Sequence, residues 1–131
     1  MNYPDYVDRM QQGADAVDAG RRDLAIAIFE DLLTTDISPI DKAVVCVNLA
    51  TISDQLGEPE RALRYYDRGI TLEQALCRTF AAEAQAAYLH GLGRTRESLR
   101  AYEALRRGGW LSESDKQRID TNIATIGRQL G

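Results

Sequence analysis

The sequence predicts an all-α fold: an α-solenoid of three antiparallel helix pairs closed by a capping helix, seven helices in all. Three observations carry this. Glycines recur at Gly20, Gly57 and Gly93, spaced 37 and 36 residues apart. The same columns surround each one. A small residue stands seven positions before (Gly13, Ala50, Ala86), another five positions after (Ala25, Ala62, Ser98), and an aromatic four further on (Phe29, Tyr66, Tyr102). Between the glycines the apolar residues follow helical spacing, with no strand-like alternation. A period of this length is the mark of stacked supersecondary units.

Each element has a local reason. The spacing predicts helices at about 4–19, 23–35, 40–56, 59–72, 76–92, 96–107 and 113–130. Each glycine falls between two helical segments, where a residue with positive φ must end the first. Ser38-Pro39-Ile40-Asp41 reads as an N-cap, a first-turn proline and an acid able to close a capping box. Pro59 repeats the first-turn role after Gly57. Thr95 is a candidate cap after Gly93, and Ser112-Glu113-Ser114-Asp115 again has capping-box spacing. In the last helix Ile119, Ile123, Ile126 and Leu130 form one stripe, opposite Lys116, Arg118, Asp120, Thr121, Thr125 and Arg128. An array needs such an end piece, because its last repeat would otherwise expose an apolar face. Trp110 is expected to pack under the start of this cap. With no linker or low-complexity tract, 1–131 reads as a single domain. Its repeats are about 4–37, 40–74 and 76–110, and its capping helix about 113–130.

Composition narrows the function classes. Hydrophobic residues make up 44% of 131 residues, ordinary for a soluble globular chain, and no apolar run could span a bilayer. Met1-Asn2-Tyr3-Pro4-Asp5 lacks the basic and apolar blocks of a signal peptide, so a cytoplasmic, bacterial protein is expected. Cys46 and Cys77 form no metal-type pair with each other or with His90, and two buried thiols are expected. The net charge of −4 is uneven: residues 1–60 hold 12 acids and 4 bases, residues 61–131 hold 8 acids and 12 bases. An acidic chain is a poor general binder of nucleic acid, although the Arg-rich C-terminal half keeps that class as a minor alternative. No catalytic constellation is present. His90 is the single histidine, Gly91-Leu92-Gly93 follows a helix and lacks the lysine of a phosphate loop, and Asp15 and Asp18 lack a calcium-loop pattern. No enzyme activity, cofactor or metal is expected.

These columns resemble the tetratricopeptide repeat. The second copy is closest: Leu49-Ala50 stands where the family prefers Leu-Gly, and Gly57, Ala62 and Tyr66 follow at family spacing. The resemblance implies a right-handed superhelical sense. Departures are clear. The family's tryptophan position holds Arg9, Cys46 and Ala82, and its tyrosine position holds Ala16, Ser53 and Leu89. Its proline is missing after Tyr66 and Tyr102 and is shifted to Pro39 in the first copy. The period exceeds the family's usual 34 residues, so longer inter-repeat turns are expected.

The resemblance also implies a concave groove lined by the first helix of each repeat. It places there Val7, Met10, Ala14 and Val17, then Val44, Val47, Asn48, Thr51 and Asp54, then Phe80, Glu83, Ala87 and His90. Members that clamp a C-terminal carboxylate carry cations in this groove. Here the matching positions hold Met10, Ala14, Asn48, Phe80 and Ala84, and only Asn48 fits. An apolar lining suits a peptide or amphipathic helix instead. The expected function is a protein–protein interaction adaptor. The alternative is a structural or assembly subunit, acting as a homo-oligomer or within a larger complex. Arg61, Arg64 and Arg68, with Arg96, Arg100, Arg106 and Arg107, mark a basic convex side. It reads as a solvated face or as a dock for an acidic partner.

Overall fold

The computed structural model describes all residues, 1–131. Seven helices run in order: α1 Tyr3–Asp18, α2 Arg22–Leu33, α3 Pro39–Gln55, α4 Pro59–Gln74, α5 Phe80–Gly91, α6 Thr95–Arg106 and α7 Glu113–Gln129. Each packs on the next, and α3 also touches α5. None is long and apolar enough to cross a membrane.

The glycine column closes the three hairpins. Gly20, Gly57 and Gly93 have φ of 76°, 75° and 80°. The next N–H then reaches back five residues, Arg21 to Ala16 at 2.8 Å, Glu58 to Ser53 at 3.0 Å and Arg94 to Leu89 at 3.0 Å. This left-handed end satisfies carbonyls that a helix terminus leaves open. Beyond each turn Ala25, Ala62 and Ser98 are fully buried, and the Ser98 hydroxyl donates to the Ala86 carbonyl at 2.6 Å. Ser38 accepts from the Asp41 N–H, and Ser112 with Asp115 forms a complete capping box. Thr95 does not cap. It is the first residue of α6, behind Arg94, whose side chain is drawn away to Glu97 and Glu60.

The link between α4 and α5 differs from the sequence expectation. α4 runs to Gln74 and α5 begins at Phe80, not at residue 76. Cys77 takes the left-handed conformation, φ 56°, and the Arg78 N–H reaches back to the Glu73 carbonyl. The geometry is that of the hairpin turns, with cysteine in place of glycine. Glu73 is 2% exposed, and one of its carboxylate oxygens accepts from Ala81 N–H at 2.8 Å and Ala82 N–H at 3.0 Å. The acid on α4 thus caps α5, whose own Thr79 makes no capping bond. Burial pushes the Glu73 carboxyl above its ordinary value, against the pull of the two amides. Cys77, expected buried, is exposed by this turn, while Cys46 is buried.

The core has two parts. One joins α1 to α4 around Phe29, Leu32, Val45, Leu49 and Tyr66. The other joins α5 to α7 around Ala86, Tyr102, Leu111, Ile119 and Ile126. Between them the helices meet at small residues. A Cβ on Gly69 would lie 3.1 Å from the Ala81 Cβ and 3.3 Å from the Cys46 Cβ. The Tyr66 and Tyr88 rings, centroids 5.3 Å apart, bridge the same seam. Leu111, not Trp110, packs under the cap, because Trp110 turns toward Gly108 and is 38% exposed.

Glu73→Ala should cost about 1–3 kcal/mol by leaving two amides unmet, while Glu73→Gln retains an acceptor and stays near wild type. The folded state holds the Glu73 proton to higher pH than the unfolded chain. Wild type should therefore lose stability relative to Glu73→Gln as pH rises from the ordinary carboxylate range through the raised value. Urea unfolding of both proteins at about pH 4 and about pH 7 reads this difference. Cys77→Gly should gain about 1 kcal/mol in the same measurement, since only the cysteine strains this backbone.

Candidate functional site

The first helices of the first two repeats stand apart and leave a groove of about 510 Å³. On α1 the spacing of Val7, Met10, Ala14 and Val17 puts all four on one face. Tyr6, Gln11 and Asp18 complete that wall. The α3 wall is Asn48, Thr51, Ile52 and Gln55, and the floor is Phe29 of α2. Phe29 reaches the groove because Gly13 has no side chain: a Cβ there would lie 2.4 Å from the ring.

Polar groups sit at defined points along it. Asn48 is half-buried midway along α3. Gln55 accepts from Arg22 Nε at 3.1 Å, beside Asp18 at one end. At the other end burial raises the Tyr6 phenol, and the charge of Asp41 pushes the same way. The groove is therefore lined mostly by apolar side chains, with one carboxylate, Asp18, at one end.

The third repeat is arranged otherwise. Glu83 accepts from Arg118 Nε at 2.7 Å and Arg118 Nη2 at 2.8 Å, and from Thr79 Oγ1 at 2.6 Å. Burial pushes the Glu83 carboxyl up, but these partners outweigh it and hold it below its ordinary value. His90 Nε2 lies 2.6 Å from Gln129 Oε1. Both residues thus brace the capping helix. Asp54 is engaged as well, accepting from the Tyr88 hydroxyl at 2.8 Å, while burial and then this bond raise the Tyr88 pKa. Phe80 is 51% exposed at the start of α5 and Ala87 is exposed, outside the groove lining. Val44 and Val47 are half-buried, and Val47 packs against the N-terminal core.

So Val7, Met10, Ala14, Val17, Asn48 and Thr51 share the groove lining, and Val44, Val47, Phe80, Glu83, Ala87 and His90 fall outside it. Sequence reasoning missed Tyr6, Gln11, Asp18, Phe29, Ile52 and Gln55. Tyr6 and Gln11 were reachable, since each lies one helical step from Val7, Met10 or Ala14. The aromatic column containing Phe29 reads in sequence as packing between repeats; the glycine above its ring is the missed signal. On the convex side Arg61, Arg68 and Arg106 pair with Glu58, Glu30 and Asp120.

Residues 45–78 match the family model described as a tetratricopeptide repeat. Comparison with curated proteins gives no match. Among solved structures, the first tetratricopeptide domain of Spaghetti (RPAP3), bound to the HSP90 peptide SRMEEVD, is similar at TM-score 0.68 and 18% identity, over 99% of this chain and 98% of that one. PcrH in complex with the chaperone-binding region of PopD is similar at TM-score 0.68 and 18% identity, over 100% and 97%. PcrH from Pseudomonas aeruginosa gives TM-score 0.68 and 18% identity, over 97% and 95%. At that identity the likeness establishes the fold. The chain has the fold of the tetratricopeptide-repeat proteins, and its middle repeat carries the family's sequence pattern.

Gly13→Ala should destabilise by about 1–3 kcal/mol, because its methyl group meets the Phe29 ring. Adding Phe29→Leu should recover part of that loss, and a thermodynamic double-mutant cycle measures the coupling.

Proposed function

We propose that this chain is a protein-interaction adaptor that holds an apolar segment of a partner, as a peptide or an amphipathic helix, in the groove between α1 and α3. One observation carries the reading: the groove lining is apolar and open, with Val7 44% exposed among neighbours that its own helix cannot cover. A folded chain gains by covering such a surface, and a partner's apolar side chains would do so. Asn48 would bond a partner's backbone, and Asp18 at one end favours a segment carrying Lys or Arg there. Spaghetti (RPAP3) holds an HSP90 peptide and PcrH holds a region of PopD on similar folds, which supports the class of function. The absence of cations at Met10, Ala14, Asn48, Phe80 and Ala84 argues against a carboxylate-terminated ligand. The role is binding, not catalysis.

A second reading rests on a different observation. Tyr3, Ile40 and Leu76 occupy one repeat column, and all three are exposed. Tyr3 and Ile40 lie in the first turns of α1 and α3 and Leu76 in the α4–α5 link; exposed apolar side chains there also suit contact with a neighbouring subunit, as in an assembly component. Light scattering across a concentration series separates the two: a stable monomer removes the homo-oligomer.

Val7→Asp and Ala14→Asp should reduce capture of the partner from native extract by about tenfold or more. Melting should shift by no more than about 0.5 kcal/mol, because both positions are exposed. Loss of helicity in these variants would make the residues core and remove the groove as the site.

A further inference from the structure

A second cavity, about 280 Å³, opens between α4, α5 and α6 and shares no residue with the groove. Ala82, the smallest of the column Arg9, Cys46, Ala82, lies in its wall. Cys46 is fully buried at its place in the second repeat, whereas Ala82 leaves space in the third. The walls around it are Ile70, Ala101, Ala104, Leu105 and Trp110.

Two charged groups belong to this cavity. Glu73 contributes to its wall while 2% exposed. One of its oxygens takes both amide donors of α5. The other takes no protein donor and is not fully sealed, and Glu73 lines the cavity. A buried carboxylate with only part of its hydration replaced attracts a cation. Arg78 lies at the rim, exposed and in no ion pair. Its guanidinium offers the planar fork that matches a carboxylate.

We propose that this cavity binds a free apolar α-amino acid. Its ammonium meets the open oxygen of Glu73, its carboxylate meets Arg78, and its side chain lies among Ile70, Leu105 and Trp110. The volume of about 280 Å³ falls just below the usual range of small-molecule pockets, roughly 300–1,000 Å³, and suits an amino acid better than a nucleotide. An apolar α-amino acid uses the acid, the base and the apolar wall together. The site is independent of the partner groove and stands or falls separately.

Trp110 is the single tryptophan of the chain, so its emission reports on this cavity. The whole chain is titrated with L-leucine, L-leucinamide and 4-methylpentanoate, by fluorescence and by calorimetry. L-Leucine should saturate, and the two analogues, each lacking one charge, should bind about tenfold weaker or less well, the worth of one charge-assisted hydrogen bond. Glu73→Gln should weaken L-leucine by a similar factor while keeping the cap. Ala104→Phe, at an exposed position, should fill the cavity and abolish binding with the cap untouched. No saturation by about 10 mM L-leucine would overturn the proposal. So would full-strength binding to Ala104→Phe, or L-leucinamide binding as tightly as L-leucine, since the last result marks a site for chain amino ends.

Discussion

A left-handed residue closes each hairpin, at φ of 76°, 75° and 80°, and the angle between the paired helices depends on it. The bond reaching back five residues locks the turn, so the second helix leaves in a fixed direction. That direction brings the small columns to the crossing, where Ala25, Ala62 and Ser98 are fully buried. A larger side chain at these positions would hold the helices apart and withdraw the aromatic column from the core. Phe29, Tyr66 and Tyr102, each nearly buried, then tie every pair to the next helix in the stack.

Much of this was legible because it is local and repeated. A glycine between two helical segments, a small residue at a crossing and a Ser-x-x-Asp start each act through near neighbours in sequence. The α4–α5 link was not legible, since Glu73 caps a helix eight residues downstream through a turn whose left-handed residue is cysteine. No short pattern announces an acid on one helix as the cap of the next. Trp110 and Leu111 show another limit. They are adjacent, and the path after Gly108 decides which one enters the core. The candidate groove was half legible. Helical spacing identifies a face, but whether that face is open depends on the gap between α1 and α3 and on the pairing of Glu83 and His90 with α7.

The two halves divide the work of the surface. In the C-terminal half many bases brace neighbours: Arg118 with Glu83 and Asp115, Arg106 with Asp120, Arg94 with Glu60 and Glu97. Exposed pairs of this kind add little stability one by one, and two of them, Arg118–Glu83 and Arg106–Asp120, link the capping helix to α5 and α6. The N-terminal half carries the excess of acids and fewer such braces. Its groove therefore lies in a negative field, which favours encounter with basic segments before any apolar contact forms.

One column shows how a repeat diverges without losing its fold. In the resembled family the position held by Arg9, Cys46 and Ala82 is filled by tryptophan. In the first repeat it lies at the solvated end of the array, and Arg9 turns outward to Asp31 at 2.6 Å. In the second it lies in the seam, where a compact thiol opposite Gly69 lets α3, α4 and α5 close together. In the third the alanine lies in the wall of the second cavity, while the Glu73 cap and the Gly69 contact fix the start of α5 and its seam with α4. Losing one large side chain thus changes the surface of each repeat differently, according to what else holds its helices in place.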